Sequence, residues 1–220
     1  MDTRTDMLDG PGDGSGPRPR TRRRLPAAQR EQMILEAAIE FFAEHGFDAQ
    51  IRQLADNIGV SQALIFRYFA SKEELVERVY QRIFLARWDP GWEPMLADRS
   101  VPLADRLRRL LKSYLAVVDD RRWIRISMHA SLAGHDLTRR YVQVFVTDLL
   151  KAIAREVRLH RGDDSTGDVT AAELERVWHL HSTVVYYLVR KHIHCTPVTL
   201  DTEMVVNVAV ETFMQGIDRR

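Results

Sequence analysis

The chain has a single cysteine, Cys195, among its 220 residues, so no internal disulfide can form and no cysteine-based zinc framework exists. It also has no apolar run near the roughly 18 residues that a membrane-crossing helix needs, so no membrane partner is expected. The first residues place Asp2, Asp6 and Asp9 among Gly and Pro, without the hydrophobic stretch of a secretory leader. The expected location is therefore the cytoplasm. Excess charge is missing as well: 32 Lys and Arg stand against 31 Asp and Glu, a net charge of +1. Any attraction to nucleic acid must then come from local clustering of charge. Lysine is scarce, since 28 of the 32 basic residues are Arg, a bias that a GC-rich coding sequence explains and that also suits bidentate contacts to phosphate and guanine. Signatures of catalysis are absent too: there is no Gly-x-Ser-x-Gly, no P-loop and no Gly-x-Gly-x-x-Gly. Neither an enzyme nor a cofactor is expected.

What the chain does have is helical periodicity. Residues 1–24, "MDTRTDMLDGPGDGSGPRPRTRRR", lack it and read as a disordered basic arm, because their composition cannot offset the entropy of ordering. From there on, apolar residues recur at three and four, and the class is all-α. A first helix over about 27–45 carries Ile34, Ala37, Ala38, Phe41 and Phe42 on one stripe and stops at Gly46. Two short helices follow, about 50–57 and 62–68. Ser71 with Glu74 forms a capping box that opens a fourth helix reaching about Arg87. The stretch "WDPGWEPMLADRSVP" reads as a loop, and further helices are expected near 102–119, 122–133, 137–160, 171–194 and 200–217. Thr170 with Glu173 caps the fourth of these. The expected domains are the arm at 1–24, a helix-turn-helix domain at 25–72, and a regulatory and dimerisation domain at 73–220.

The helix-turn-helix reading rests on "LADNIGVSQALIFRYF". Ala55 is small where two helices would cross, and Gly59 tolerates the positive φ of a tight turn. Leu54, Ile58, Val60 and Ile65 supply an apolar underside, and Ser61 caps the second helix. In such a motif the second helix enters the major groove of DNA. Gln62, Ala63 and Arg67 fall on its outward face, where Gln can read adenine, Arg guanine, and Ala a thymine methyl. Arg52, Tyr68 and Lys72, with the amides that start the fourth helix, suit phosphate contacts that set orientation, and Ser61, the cap, is counted with the DNA-binding residues. The alternative is a helical corner whose charges are merely solvated. Arg22, Arg23 and Arg24, in "RPRTRRRLP", suit either a minor-groove arm or a solvated tail.

Residues 30–80, with "EAAIEFFAEHGF", "LADNIGVSQALIFRYF" and "SKEEL" in order, resemble the DNA-binding domain of the TetR family of bacterial transcriptional regulators. The resemblance implies an all-helical homodimer with three N-terminal helices on double-stranded DNA, at a pseudo-palindromic operator. It further implies a C-terminal domain that dimerises and often binds a small-molecule effector. Two departures stand out. The Thr pair common before the family's second helix is replaced by the shorter "DAQIRQ", leaving Asp48 or Gln50 as the cap, and the common Leu-Tyr becomes Ile65-Phe66, without the hydroxyl.

Beyond residue 100 the reading is less sharp. His129, His135, His179, His181, His192 and His194 invite a metal, but their spacing never collects three ligands on one stripe, so no metal site is expected. Tyr114, Met128, His129, Phe145, Trp178 and His181 form the expected effector pocket, although large side chains of this kind also fill ordinary cores. Val185, Leu188, Val205, Val208 and Phe213, on the last two helices, form the expected homodimer face in a four-helix bundle. The expected protein is a repressor released by a small molecule. An activator with the same DNA site, or a helical metal- or ligand-binding protein with a purely structural corner, are the alternatives.

Overall fold

The computed structural model describes residues 26–218, which contain helices and connecting turns and no strand. The basic arm, with Arg22, Arg23 and Arg24, lies outside the described residues. Eleven α-helices follow in order: α1 (Ala27–His45), α2 (Ile51–Ile58), α3 (Gln62–Tyr68), α4 (Lys72–Ile83), α5 (Trp92–Ala97), α6 (Leu103–Val118), α7 (Arg121–Leu132), α8 (Leu137–Tyr141), α9 (Thr147–His160), α10 (Ala171–His192) and α11 (Thr202–Asp218). The caps read from sequence are in place. Leu64 N–H donates to Ser61 Oγ at 3.2 Å, Glu74 N–H to Ser71 Oγ at 3.1 Å, and Glu173 N–H to Thr170 Oγ1 at 3.3 Å. Gln50 rather than Asp48 precedes α2, and its N–H donates to Gln53 Oε1 at 2.9 Å.

Three boundaries differ from expectation, each for a tertiary reason. The fourth helix stops at Ile83, and Leu85–Arg87 tightens into a 3₁₀ turn. The expected loop at 88–102 contains α5, because Trp92 is fully buried and its indole N–H donates to Ser113 Oγ at 2.9 Å, anchoring the short helix on α6. The expected continuous helix at 137–160 is broken by a π-helical turn at Val142–Val146, where Thr147 Oγ1 donates to Val142 O at 2.8 Å.

Burial explains the packing. α1 buries Ile34, Ala38, Ile39, Phe41, Phe42 and Ala43 and packs on α2, α4 and α7, so it joins the N-terminal helices to the rest. Its acidic side meets the basic start of α7. Arg122 lies 3.6 Å from Glu36 and 3.4 Å from Glu40, and Arg125 3.4 Å from Glu44. Arg121 pairs with Glu44 as well, and Arg125 Nε donates to Ala43 O at 2.6 Å. In the C-terminal part, α6 packs on α5, α9 and α11, and α10 on α7, α9 and α11.

Two buried arginines hold the irregular segments. Arg106 donates to Val101 O at 3.0 Å, to Leu96 O, and to Glu156 at 2.6 Å, tying α5 to α9. Arg158 pairs with both oxygens of Glu173 at 2.7 and 2.6 Å and donates to the carbonyls of Ser165, Gly167 and Asp168, closing the 161–170 loop. The hydrogen bonds from Arg158 hold the Glu173 carboxyl down at about 2.

Candidate nucleic-acid interface

α2 and α3 are short, polar on one side, and held by a glycine corner. Gly59 adopts φ 68° and ψ 38°, the left-handed region, and Val60 N–H donates back to Ala55 O at 3.0 Å. Ala55, Leu54 and Ile65 are buried at this corner, so α3 is seated on the first two helices by packing. Ile58 and Val60 were expected to be buried with them but are only half-buried, because they sit at the rim of the turn. Phe69, fully buried, ends α3 and returns the chain inward.

The other side of α3 is free. Gln62, Ala63 and Arg67 are exposed, as are Ser61 and, on α2, Arg52. Phe66, 38% exposed, lies among them, one turn after Gln62. The sequence already sets it beside the outward residues Gln62, Ala63 and Arg67. On this face it offers an apolar contact of the kind a thymine methyl accepts. Tyr68 and Lys72 are half-buried beside the face, at the end of α3 and the start of α4. The start of α4 also carries Glu73 and Glu74, and Glu74 Oε2 accepts from Ala70 N–H at 2.7 Å. Those carboxylates temper the positive end of the helix, which leaves Lys72 and Arg67 as the cationic groups at this edge.

The expected effector residues divide. Tyr114 and His181 come together, Tyr114 Oη lying 3.3 Å from His181 Nε2, and both line a small cavity of about 10 Å³ between α6, α9 and α10. Burial lowers the His181 pKa to about 4 and raises that of the Tyr114 phenol. Trp178 touches the cavity only through His181, the ring centroids being 5.3 Å apart. Phe145 faces Trp88 instead, at 5.3 Å, and Met128 packs against the core; neither lines the cavity. His129 was also misplaced: its Nδ1 would lie 3.1 Å from a Cβ on Gly46, so it packs on the end of α1.

The expected dimer face is also corrected. Leu188 is fully buried and Val205 8% exposed within a single chain, because α10 and α11 turn these positions toward the chain's own core. Val185 and Phe213 are half-buried, and Val208 is 52% exposed. Tyr186, Met204 and Leu200 are exposed too. Val208, Ser182, Thr183, Thr212 and Gly216 line an open groove of about 750 Å³ between α10 and α11. Among the described residues, no group of three or more His, Cys, Asp and Glu side chains could hold a metal ion, and no helix is long and apolar enough to cross a membrane. His192, one of the residues that invited a metal, instead pairs with Asp119 at 2.7 Å.

A glycine corner, a serine-capped second helix and an exposed polar face on that helix define a helix-turn-helix DNA-binding protein of the all-helical kind. Residues 34–79 match the model of the bacterial regulatory proteins of the tetR family. Residues 34–79 thus carry that family's N-terminal segment. It is 28% identical over 156 residues to the HTH-type transcriptional regulator LuxR of Vibrio harveyi, covering 65% of this chain and 73% of that one. It is 45% identical over 49 residues to the HTH-type transcriptional repressor AcnR of Corynebacterium diphtheriae, covering 22% of this chain and 26% of that one. A TetR-like transcriptional regulator from Rhodococcus sp. RHA1 shares the fold, with a TM-score of 0.68 at 20% identity over 90% of this chain and all of that one.

Proposed function

We propose that the protein is a homodimeric, sequence-specific transcriptional regulator that represses from a pseudo-palindromic operator and is released by a small molecule. The observation that carries the reading is the outward face of α3, where Gln62, Ala63, Phe66 and Arg67 stand free while Ile65 and Phe69 bury the opposite side. In this reading Gln62 and Arg67 contact base edges, while Arg52, Ser61, Tyr68 and Lys72 contact phosphates. Arg22, Arg23 and Arg24 are assigned to the minor groove on their charge alone. The working division places the DNA-binding domain at 25–72 and the regulatory domain at 73–220, and the location is cytoplasmic. Repression follows the role of AcnR, a repressor similar over 49 residues, and activation is the alternative, since the activator FasR of Mycolicibacterium smegmatis is 40% identical over 60.

The dimer is proposed through α10 and α11. Exposed apolar and small residues, Tyr186, Thr183, Met204, Val208 and Gly216, offer close approach for the two helices of a second copy. Two reading helices must then sit about 34–36 Å apart, or a multiple of it, to meet successive major grooves on one side of the duplex.

Selection of bound sequences from random duplex DNA supplies the operator, and variants then test the reading face. Arg67→Ala is expected to cost roughly 1–3 kcal/mol and to relax preference at one base position. Lys72→Ala is expected to weaken all sequences alike and to lower the salt dependence by about one ion. An Arg67→Ala protein with unchanged affinity and unchanged preferred sequence would remove α3 as the reader.

A further inference from the structure

The cavity lined by α6, α9, α10 and Val146 differs in its chemistry from the charged hollow beside it. Its walls are aliphatic, from residues such as Leu111, Val146, Leu150 and Leu180, and the only polar side chains among its lining residues are Tyr114 and His181. No Lys, Arg, Asp or Glu lines it. A second hollow, beside α9 and α10, is lined instead by charged side chains, among them Arg158, Arg161, Asp163 and Glu173.

A charged ligand entering the aliphatic cavity would lose its water without gaining a counter-ion, at a cost that a hydrogen bond to a neutral group does not recover. A carboxylate could gain a partner only by protonating His181, which burial opposes. A neutral hydroxyl or carbonyl faces no such penalty. Tyr114 Oη and His181 Nε2, 3.3 Å apart, together offer a donor and an acceptor, whichever tautomer the ring adopts.

At about 10 Å³ the cavity holds about one water and no ligand, so binding must open it. The wall best suited to move is the one with a fault in it. Val146 lines the cavity and is the last residue of the π-helical turn, which carries one residue more per turn than the α-helices on either side. Shifting that extra residue along the helix moves a wall residue without unfolding the segment.

We infer that the Tyr114–His181 pair is the recognition point for an uncharged, mainly aliphatic effector bearing a single hydroxyl or carbonyl group, admitted by displacement of the π-helical turn at Val142–Val146. The inference rests on the effector-released reading above and names the chemical class that reading leaves open.

The test uses the full chain with four ten-carbon probes: 1-decanol, 2-decanone, decanoate and decylamine. Thermal unfolding and retardation of the selected operator duplex are read in parallel. Decanol and decanone are expected to raise Tm by about 5 °C at a hundredfold excess over Kd and to release the duplex, while decanoate and decylamine do neither. Tyr114→Phe keeps the ring against Trp92, and His181→Phe keeps a ring against Trp178; each is expected to weaken the neutral probes about tenfold while leaving duplex retardation intact. Decanoate binding as tightly as decanol would overturn the assignment, as would neutral probes whose Kd is the same for both variants and the unaltered chain. So would a protein that retards the duplex and responds to none of the four probes. Neutral probes that raise Tm in a chain unable to retard any duplex would support the ligand class and overturn the regulatory reading instead.

Discussion

Gly59 shows how much one backbone position decides. At φ 68° an L side chain meets its own carbonyl, yet a Cβ built there has nothing within 4 Å, so the cost of substitution is purely conformational. Gly59→Ala is therefore expected to destabilise the chain by about 1–2 kcal/mol, measured by urea unfolding, with a larger proportional loss in operator affinity because α3 is re-aimed. His181 makes a different kind of single-residue prediction. Burial holds its folded pKa near 4, below the 6.5 of the unfolded chain. Between those values the unfolded state binds more protons, so stability is complete above about pH 6.5 and falls as pH drops toward 4. His181→Phe is expected to remove that slope, worth on the order of 2–3 kcal/mol at most, in urea midpoints followed across the same range.

Among the elements, α1 and α7 form the joint between reader and body. Glu36, Glu40 and Glu44 recur at i, i+4 along α1, and Arg121, Arg122 and Arg125 answer them from the first turns of α7. These pairs are partly exposed, so each adds little to stability, but together they bridge α1 and α7. Glu36→Gln with Glu40→Gln and Glu44→Gln is expected to lower stability by about 1 kcal/mol or less. It should uncouple the two halves more than it destabilises them: effector concentrations that release the duplex from the unaltered chain would release it less completely. Equal release in the triple variant, with effector affinity unchanged, would show that the apolar packing of α1 on α7 is sufficient by itself. A second route runs through aromatic rings. Tyr114 lies 5.4 Å from Trp92, Trp92 4.8 Å from Trp88, Trp88 6.0 Å from Tyr141, and Tyr141 5.1 Å from Phe84 at the end of α4. These mainly edge-to-face contacts form a continuous chain from Tyr114 to the end of α4.

For the whole molecule the deciding quantity is the distance between two reading helices, which one chain cannot set. Val208, 52% exposed beside the groove of α10 and α11, is the side chain best placed to disrupt pairing without touching the core. Val208→Glu places a charge at the centre of the proposed four-helix bundle and is expected to weaken self-association at least a hundredfold, read by ultracentrifugation. The monomer should unfold at a somewhat lower midpoint that no longer depends on protein concentration, and lose most of its operator affinity, since only one half-site can then be held. A dimer that survives this change would place the interface elsewhere.

The caps, the glycine corner and the outward face of α3 were legible in the sequence because each depends on partners three or four residues away. Ser61 meets Leu64, Ser71 meets Glu74 and Thr170 meets Glu173 in the way that local spacing alone dictates. What sequence could not settle was decided by contacts distant along the chain. The anchoring of Trp92 on Ser113 and of Arg106 on Glu156 made a helix where a proline- and tryptophan-rich loop was expected. Leu188 and Val208 look alike in an apolar run, and only the packing of α10 and α11 on the helices beneath them turned one into the core and left the other facing outward. The same holds for the aromatic residues, of which Tyr114 reached the cavity while Phe145 joined the stack on Trp88. A periodic stripe fixes that a helix has a buried side; which neighbour covers it is a property of the assembled fold.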